Sequence, residues 1–152
     1  MSYVTPLSQP LPGASFGQAV SRFFSKYATF KGRASRSEFW WVVLFLGLIS
    51  LVYAGAITIA LAASGQLTEV TDGATVISTS GPFMTILFVI GSLWSLAIII
   101  PWLALASRRL HDVNMSAWWL LLYLTGIGGI FVYIVALIPS NPAGARFDGP
   151  TY

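Results

Sequence analysis

Apolar positions along this chain run in three long stretches, at 39–63, 83–106 and 117–138, and no Asp, Glu, Lys, Arg or His interrupts them. Each is long enough to cross a hydrocarbon layer of about 30 Å at about 1.5 Å rise per residue. Ahead of them the pattern changes. Phe16, Val20, Phe23, Phe24 and Tyr27 recur at helical spacing on one stripe, with Gln18, Arg22, Ser25 and Lys26 elsewhere. That periodicity predicts a short amphipathic helix over 15–30 lying in a membrane interface. The expected fold is an all-α integral membrane protein with three transmembrane helices preceded by a short amphipathic interfacial helix. The membrane domain is expected at 14–138, between a flexible segment at 1–13 and a tail at 139–152.

Local signals punctuate this plan. Three prolines and Gly13 precede the first helix. Gly32 breaks it, and Ser35-Arg36-Ser37-Glu38 has the spacing of a capping box opening the first span. The connection at 64–82, rich in Ser, Thr and Gly, carries no packed-domain pattern. Pro101 removes one donor from the second span and predicts a kink. Small residues four apart at Ser50/Ala54, Ala56/Ala60 and Gly91/Ser95 would permit close helix approach. Thr125-Gly126-Ile127-Gly128-Gly129 in the third stretch is either a packing seam or a local break. A full break would return the tail to the side from which the stretch starts.

Composition fits a membrane chain: 56% hydrophobic and 9% charged residues, with a mean hydropathy of +0.77. Soluble domains average about 25% charged. Absence of cysteine excludes disulfides, thiolate metal sites and Cys nucleophiles. Residues 1–21 have no Lys or Arg and no signal-length apolar core, so the first span is expected to act as an uncleaved anchor. Arg22, Lys26, Lys31, Arg33 and Arg36 precede span 1, and Arg108 and Arg109 separate spans 2 and 3. Three spans with a cytoplasmic N-terminus would hold these seven inside and Arg146 outside, which the positive-inside rule favours. The expected location is the bacterial cytoplasmic (inner) membrane, multi-pass.

Two polar clusters border the same expected interface, at 30–41 and 107–119. Within reach of each other they would pool Arg33, Arg36, Glu38, Arg108, Arg109, His111 and Asp112. The plainest roles are orientation by arginines, capping by Glu38, neutralisation of an arginine by Asp112, and capping by Asn114 or Ser116. The sharper reading is an anion site, since guanidinium groups suit bidentate phosphate binding and lipid headgroups are the nearest phosphates. Trp40, Trp41, Trp118 and Trp119 would anchor its depth. The expected partners are anionic membrane lipids, with a homo-oligomer or membrane protein partner as the other candidate, and no nucleic acid. His111 beside Asp112 forms a weak catalytic candidate, as acid–base on a phosphorylated headgroup or lipid-linked substrate. A lone His without Cys builds no typical zinc site, so neither metal nor cofactor is expected. A third alternative is an oligomeric pore using Ser92, Ser95 and Thr125; the spans carry no ionisable residue of the kind that marks ion pathways.

At these clusters the chain resembles the bacterial inner-membrane YhaH/YhaI-like family, the domain of unknown function eight-oh-five. The matching residues are Phe24-Ser25-Lys26-Tyr27-Ala28-Thr29-Phe30, Gly32-Arg33-Ala34-Ser35-Arg36-Ser37-Glu38-Phe39-Trp40-Trp41, Arg108-Arg109-Leu110-His111-Asp112 and Ser116-Ala117-Trp118-Trp119. The resemblance spans roughly 16–150 and implies a cytoplasmic-membrane protein of several spans, without an activity. The family's Asn-aromatic-Gly tail pattern is only partly kept, as Gly144-Ala145-Arg146-Phe147-Asp148-Gly149-Pro150 lacks that Asn.

Overall fold

The computed structural model describes residues 9–63, 69–71, 74–76 and 82–148. Helix α1 is Phe16–Ser25, α2 is Arg36–Ala63, and α3 is Pro82–Asp112. A 3-10 helix follows at Ala117–Thr125, then α4 at Gly128–Leu137 and a second 3-10 helix at Pro142–Phe147. Two short strands, β1 (Glu69–Thr71) and β2 (Ala74–Val76), pair antiparallel with Val70 opposite Thr75. The expectation of a mobile segment at 1–13 lies outside the described residues up to residue 8. So does most of the expectation for 64–82.

The chain divides into two compact units. One takes in the chain up to Phe45 and from Ile98 onward; the other is Leu46–Ala97. In the second unit Tyr53 lies against Gly91 and donates its hydroxyl to the Leu87 carbonyl at 2.9 Å. A side chain at 91 would overlap that ring, so here the small residue does permit a close approach.

The first unit holds the charged residues and the ends of the long helices. Its capping chemistry follows the sequence closely. Ser15 caps α1 in a reciprocal box with Gln18. Ser35 Oγ accepts from the Glu38 amide (3.2 Å) while Glu38 Oε2 accepts from the Ser35 amide (2.8 Å). Both boxes satisfy donors that helix geometry leaves free. Helix α1 ends at Ser25, earlier than the expected 15–30, and the chain turns through Lys26–Thr29. Helix α3 continues through Pro101 to Asp112. Among the described residues two helices, α2 and α3, are long and apolar enough to cross a membrane, and almost none of either apolar window is buried.

The third apolar stretch departs from expectation. A continuous span over 117–138 is replaced by two short helices that pack on each other. Gly126 takes φ +77, a left-handed conformation that ends the 3-10 helix. Gly128 then lies so close that an added Cβ would sit 2.6 Å from the Leu122 carbonyl carbon. Trp119 and Phe131 stack with centroids 5.4 Å apart, and Val135 packs on Leu110 and Val113 at the end of α3. The Asn141 amide donates to the Asp112 carbonyl at 2.8 Å, so the chain comes back to the point it left. The physical reason is that Gly126 and Gly128, one and three residues after Thr125, supply the turn and the clearance a hairpin needs. At about 2 Å rise per residue for nine residues and about 1.5 Å for ten, each arm covers roughly half a bilayer core.

Candidate functional site

The two polar segments are first linked through the backbone of residues 30–34. The Ser107 hydroxyl donates to the Phe30 carbonyl (2.8 Å) and the Ala34 amide donates to the Arg108 carbonyl (3.0 Å). His111 Nδ1 stands 3.1 Å from the Gly32 carbonyl, so that nitrogen must carry the proton. Positive φ at Gly32 (+84) lets the chain turn there. Residues 30–34 are thus laid along the last turn of α3.

Within this arrangement most arginines already have partners. Arg33 makes a bidentate pair with Asp148, at 2.8 Å from Nε and 2.6 Å from Nη2. That hydrogen bonding raises its pKa, so Arg33 is firmly cationic. Arg109 is fully buried, pairs with Asp112, and also donates to the Ile138 carbonyl. The Ser140 hydroxyl donates to the same Asp112 oxygen at 2.5 Å. Arg36 is exposed and reaches the Leu137 carbonyl at 3.3 Å. Arg108 is 1% exposed; its Nε donates to the Ala104 carbonyl (3.0 Å) and its Nη2 has no acceptor among the described residues.

Glu38 has the most elaborate setting. Its Oε1 accepts from Arg22 Nε at 2.5 Å, and its Oε2 accepts from the amides of Leu11 (3.0 Å) and Ser35 (2.8 Å). Residues 9–14 form a strap over this carboxylate. Arg22 Nη2 donates to the Gln9 carbonyl (2.5 Å), and the hydroxyls of Ser35 and Ser37 both reach the Leu11 carbonyl (2.7 and 3.2 Å). Beside it lies Lys26, only 2% exposed, with its Nζ lacking an acceptor. Burial and the charges of Arg108 and Arg22 bring its pKa down to about 7.

The sequence missed Arg22, Lys26, Ser140 and Asp148 as members of this layer. Arg22 and Lys26 sit on the polar side of an amphipathic stripe, which looks solvated until a strap and two other helices cover it. Asp148 lies in a tail with no periodicity to place it. His111 and Asp112 do not act on each other: the imidazole bonds Gly32 and stacks on Phe147 at 4.1 Å, while the carboxylate serves Arg109 and Ser140. His111 also borders a largely apolar cavity of about 640 Å³, with Phe30, Leu103, Trp118 and Tyr123. Among the described residues no three His, Cys, Asp or Glu side chains converge to hold a metal ion. Trp40, Trp41, Trp118 and Trp119 are all exposed.

Known proteins resemble this chain along most of its length. Residues 27–149 match the family described as "Protein of unknown function (DUF805)". The inner membrane protein YhaH of Escherichia coli (strain K12) is 25% identical over 129 residues, covering 85% of this chain and 91% of YhaH. The inner membrane protein YhaI of the same organism is 30% identical over 123 residues, covering 81% of this chain and 85% of YhaI. No solved structure matches. The relatives' location and the two exposed apolar helices together put the chain in the inner membrane. A family match over residues 27–149, which includes both arms of the charged layer from Arg33 to Asp148, makes this chain a member of the DUF805 family of proteins of unknown function.

Proposed function

We propose that this protein is a non-enzymatic inner-membrane module that gathers anionic lipid headgroups at its cytoplasmic face. In this reading α2 and α3 cross the bilayer, and the 117–138 hairpin enters and leaves on the cytoplasmic side. Both described chain ends then share that side, and so do all eight Lys and Arg residues. Against them stand Glu38, Asp112 and Asp148, leaving a formal +5, while Glu69 and Asp72 fall to the opposite loop. The observation that carries the proposal is the division of labour among the basic groups. Arg33 and Arg109 are consumed by carboxylates, whereas Lys31, Arg36 and Arg146 stay exposed around the same layer. Each exposed basic group near an anionic leaflet is worth roughly 1 kcal/mol, so the three together favour anionic lipid by roughly 100-fold.

Two measurements test this. Lipid co-purified with the triple variant Lys31→Gln/Arg36→Gln/Arg146→Gln should hold at most half the wild-type anionic fraction; equal retention by a folded variant rules the idea out. The cysteine-free chain also accepts single cysteines cleanly. Cysteines at positions 31 and 146 should react from the same side of sealed vesicles. Labelling from opposite sides would show that the 117–138 segment crosses.

A further inference from the structure

Charge is unevenly shared under the N-terminal strap. Arg22, Lys26 and Arg108 are each at most 8% exposed, and the carboxylate among them is Glu38. That carboxylate is already full, with Arg22 on one oxygen and two backbone amides on the other. Asp148, whose charge Lys26 also feels, is held bidentately by Arg33. Among the described residues, two buried donors under the strap are left over: Lys26 Nζ and Arg108 Nη2 both lack an acceptor. They come from different elements, the turn after α1 and the last turns of α3. A buried donor without an acceptor is rare, and a buried cation without a counter-charge is costly. Water could accept a hydrogen bond here but could not cancel the charge.

We propose that Lys26 and Arg108 form the donor pair of a site for a phosphate-type oxyanion, carried by a lipid headgroup or free in solution. The anion supplies at least two acceptor oxygens and the negative charge that Glu38 cannot. Arg108 presents a guanidinium already oriented by its bond to the Ala104 carbonyl, and Lys26 adds a compact ammonium. Without the anion, burial and then the repulsion from Arg108 and Arg22 outweigh the attraction of Glu38 and Asp148, and Lys26 sheds its proton readily near neutrality. Anion binding therefore takes up a proton at Lys26. The site uses none of Lys31, Arg36 or Arg146, so it stands or falls separately from the exposed rim.

The test is the apparent Tm of the full chain in maltoside micelles. One arm adds sodium phosphate against sodium chloride at matched ionic strength. The other dopes the micelles with phosphatidylglycerol against diacylglycerol of the same tails. Wild type should gain at least about 5 °C with one of the phosphate-bearing additions and little with its control. Phosphatidylglycerol acting alone assigns the site to a headgroup, and phosphate acting too assigns it to the free anion; both results support the site. Lys26→Met removes a buried unpaired charge and should fold, as should the second variant Arg108→Gln; each should lose most of the gain. The proposal is overturned if wild type responds no more to the phosphate-bearing additions than to chloride and diacylglycerol. It is equally overturned if Lys26→Met keeps the full gain.

Discussion

Replacing Gly128 by Ala distinguishes a folded-back hairpin from a straight third helix by the sign of its effect. In a straight span the substitution adds helix propensity, worth up to about 1 kcal/mol, and the protein gains stability. In the hairpin the new methyl would sit 2.6 Å from the Leu122 carbonyl carbon and closer still to the Tyr123 amide nitrogen. Ordinary carbon contacts are about 3.5–4.0 Å, so the two arms must part by roughly 1 Å. Overpacking of that size costs about 1–3 kcal/mol, and the stacking of Trp119 on Phe131 loosens with it. The steric cost exceeds the propensity gain, and the net is a loss of about 1–2 kcal/mol. At about 2–4 °C per kcal/mol for a chain of this size, the apparent Tm in detergent should fall by roughly 2–8 °C. Gly128→Val should fall further. Gly126 supplies the contrast: nothing lies within 4 Å of its added Cβ, but its φ of +77 is strained for Ala. Gly126→Ala should cost about 1–2 kcal/mol, and Gly126→Asn less, since Asn tolerates that conformation. A Gly128→Ala protein as stable as wild type, or more so, would refute the hairpin.

Other outcomes follow from the charged layer. Glu38→Gln leaves Arg22 buried without its counter-charge and weakens the strap, so it should destabilise by about 3–5 kcal/mol, seen as a lower Tm and faster proteolysis near residues 9–14. Lys26 has a folded-state pKa of about 7 against an ordinary 10.5, so between those values the unfolded chain binds more protons. Stability should therefore rise with pH from about 7 to 10.5 and be penalised below 7; the slope should vanish in Lys26→Met, read as Tm against pH.

Much of the architecture can be read from residue pattern alone. The Ser35/Glu38 box, the presence of two long apolar helices and the neutralising of an arginine by Asp112 are local, and local spacing encodes them, whereas α3 runs on to Asp112, past the expected end at 106, and carries Arg108 and Arg109 within it. Ser116 rather than Asn114 caps the helix after α3, while Asn114 takes φ 64 in the turn. The hairpin was ambiguous because an all-apolar run carries no polar face to mark which side meets lipid and which meets protein. Thr125–Gly129 fits a seam and a break equally well until Gly128 is seen against Leu122 and Tyr123. The layer's membership was hidden for another reason. Arg22 pairs across 16 positions and Arg33 across 115, and no periodicity links residues so far apart.

That last separation bears on how the protein matures. Arg33 leaves the ribosome more than a hundred residues ahead of Asp148, and Arg109 precedes the carbonyl of Ile138 that it reaches. In the proposed topology the early guanidiniums stay hydrated at the membrane surface while α2 and α3 insert, and are sealed only when the segments carrying Ile138 and Asp148 dock. Arrival of Asp148 is thus the step that pairs Arg33, and a chain stopped before Asp148 should linger half-closed and open to proteases.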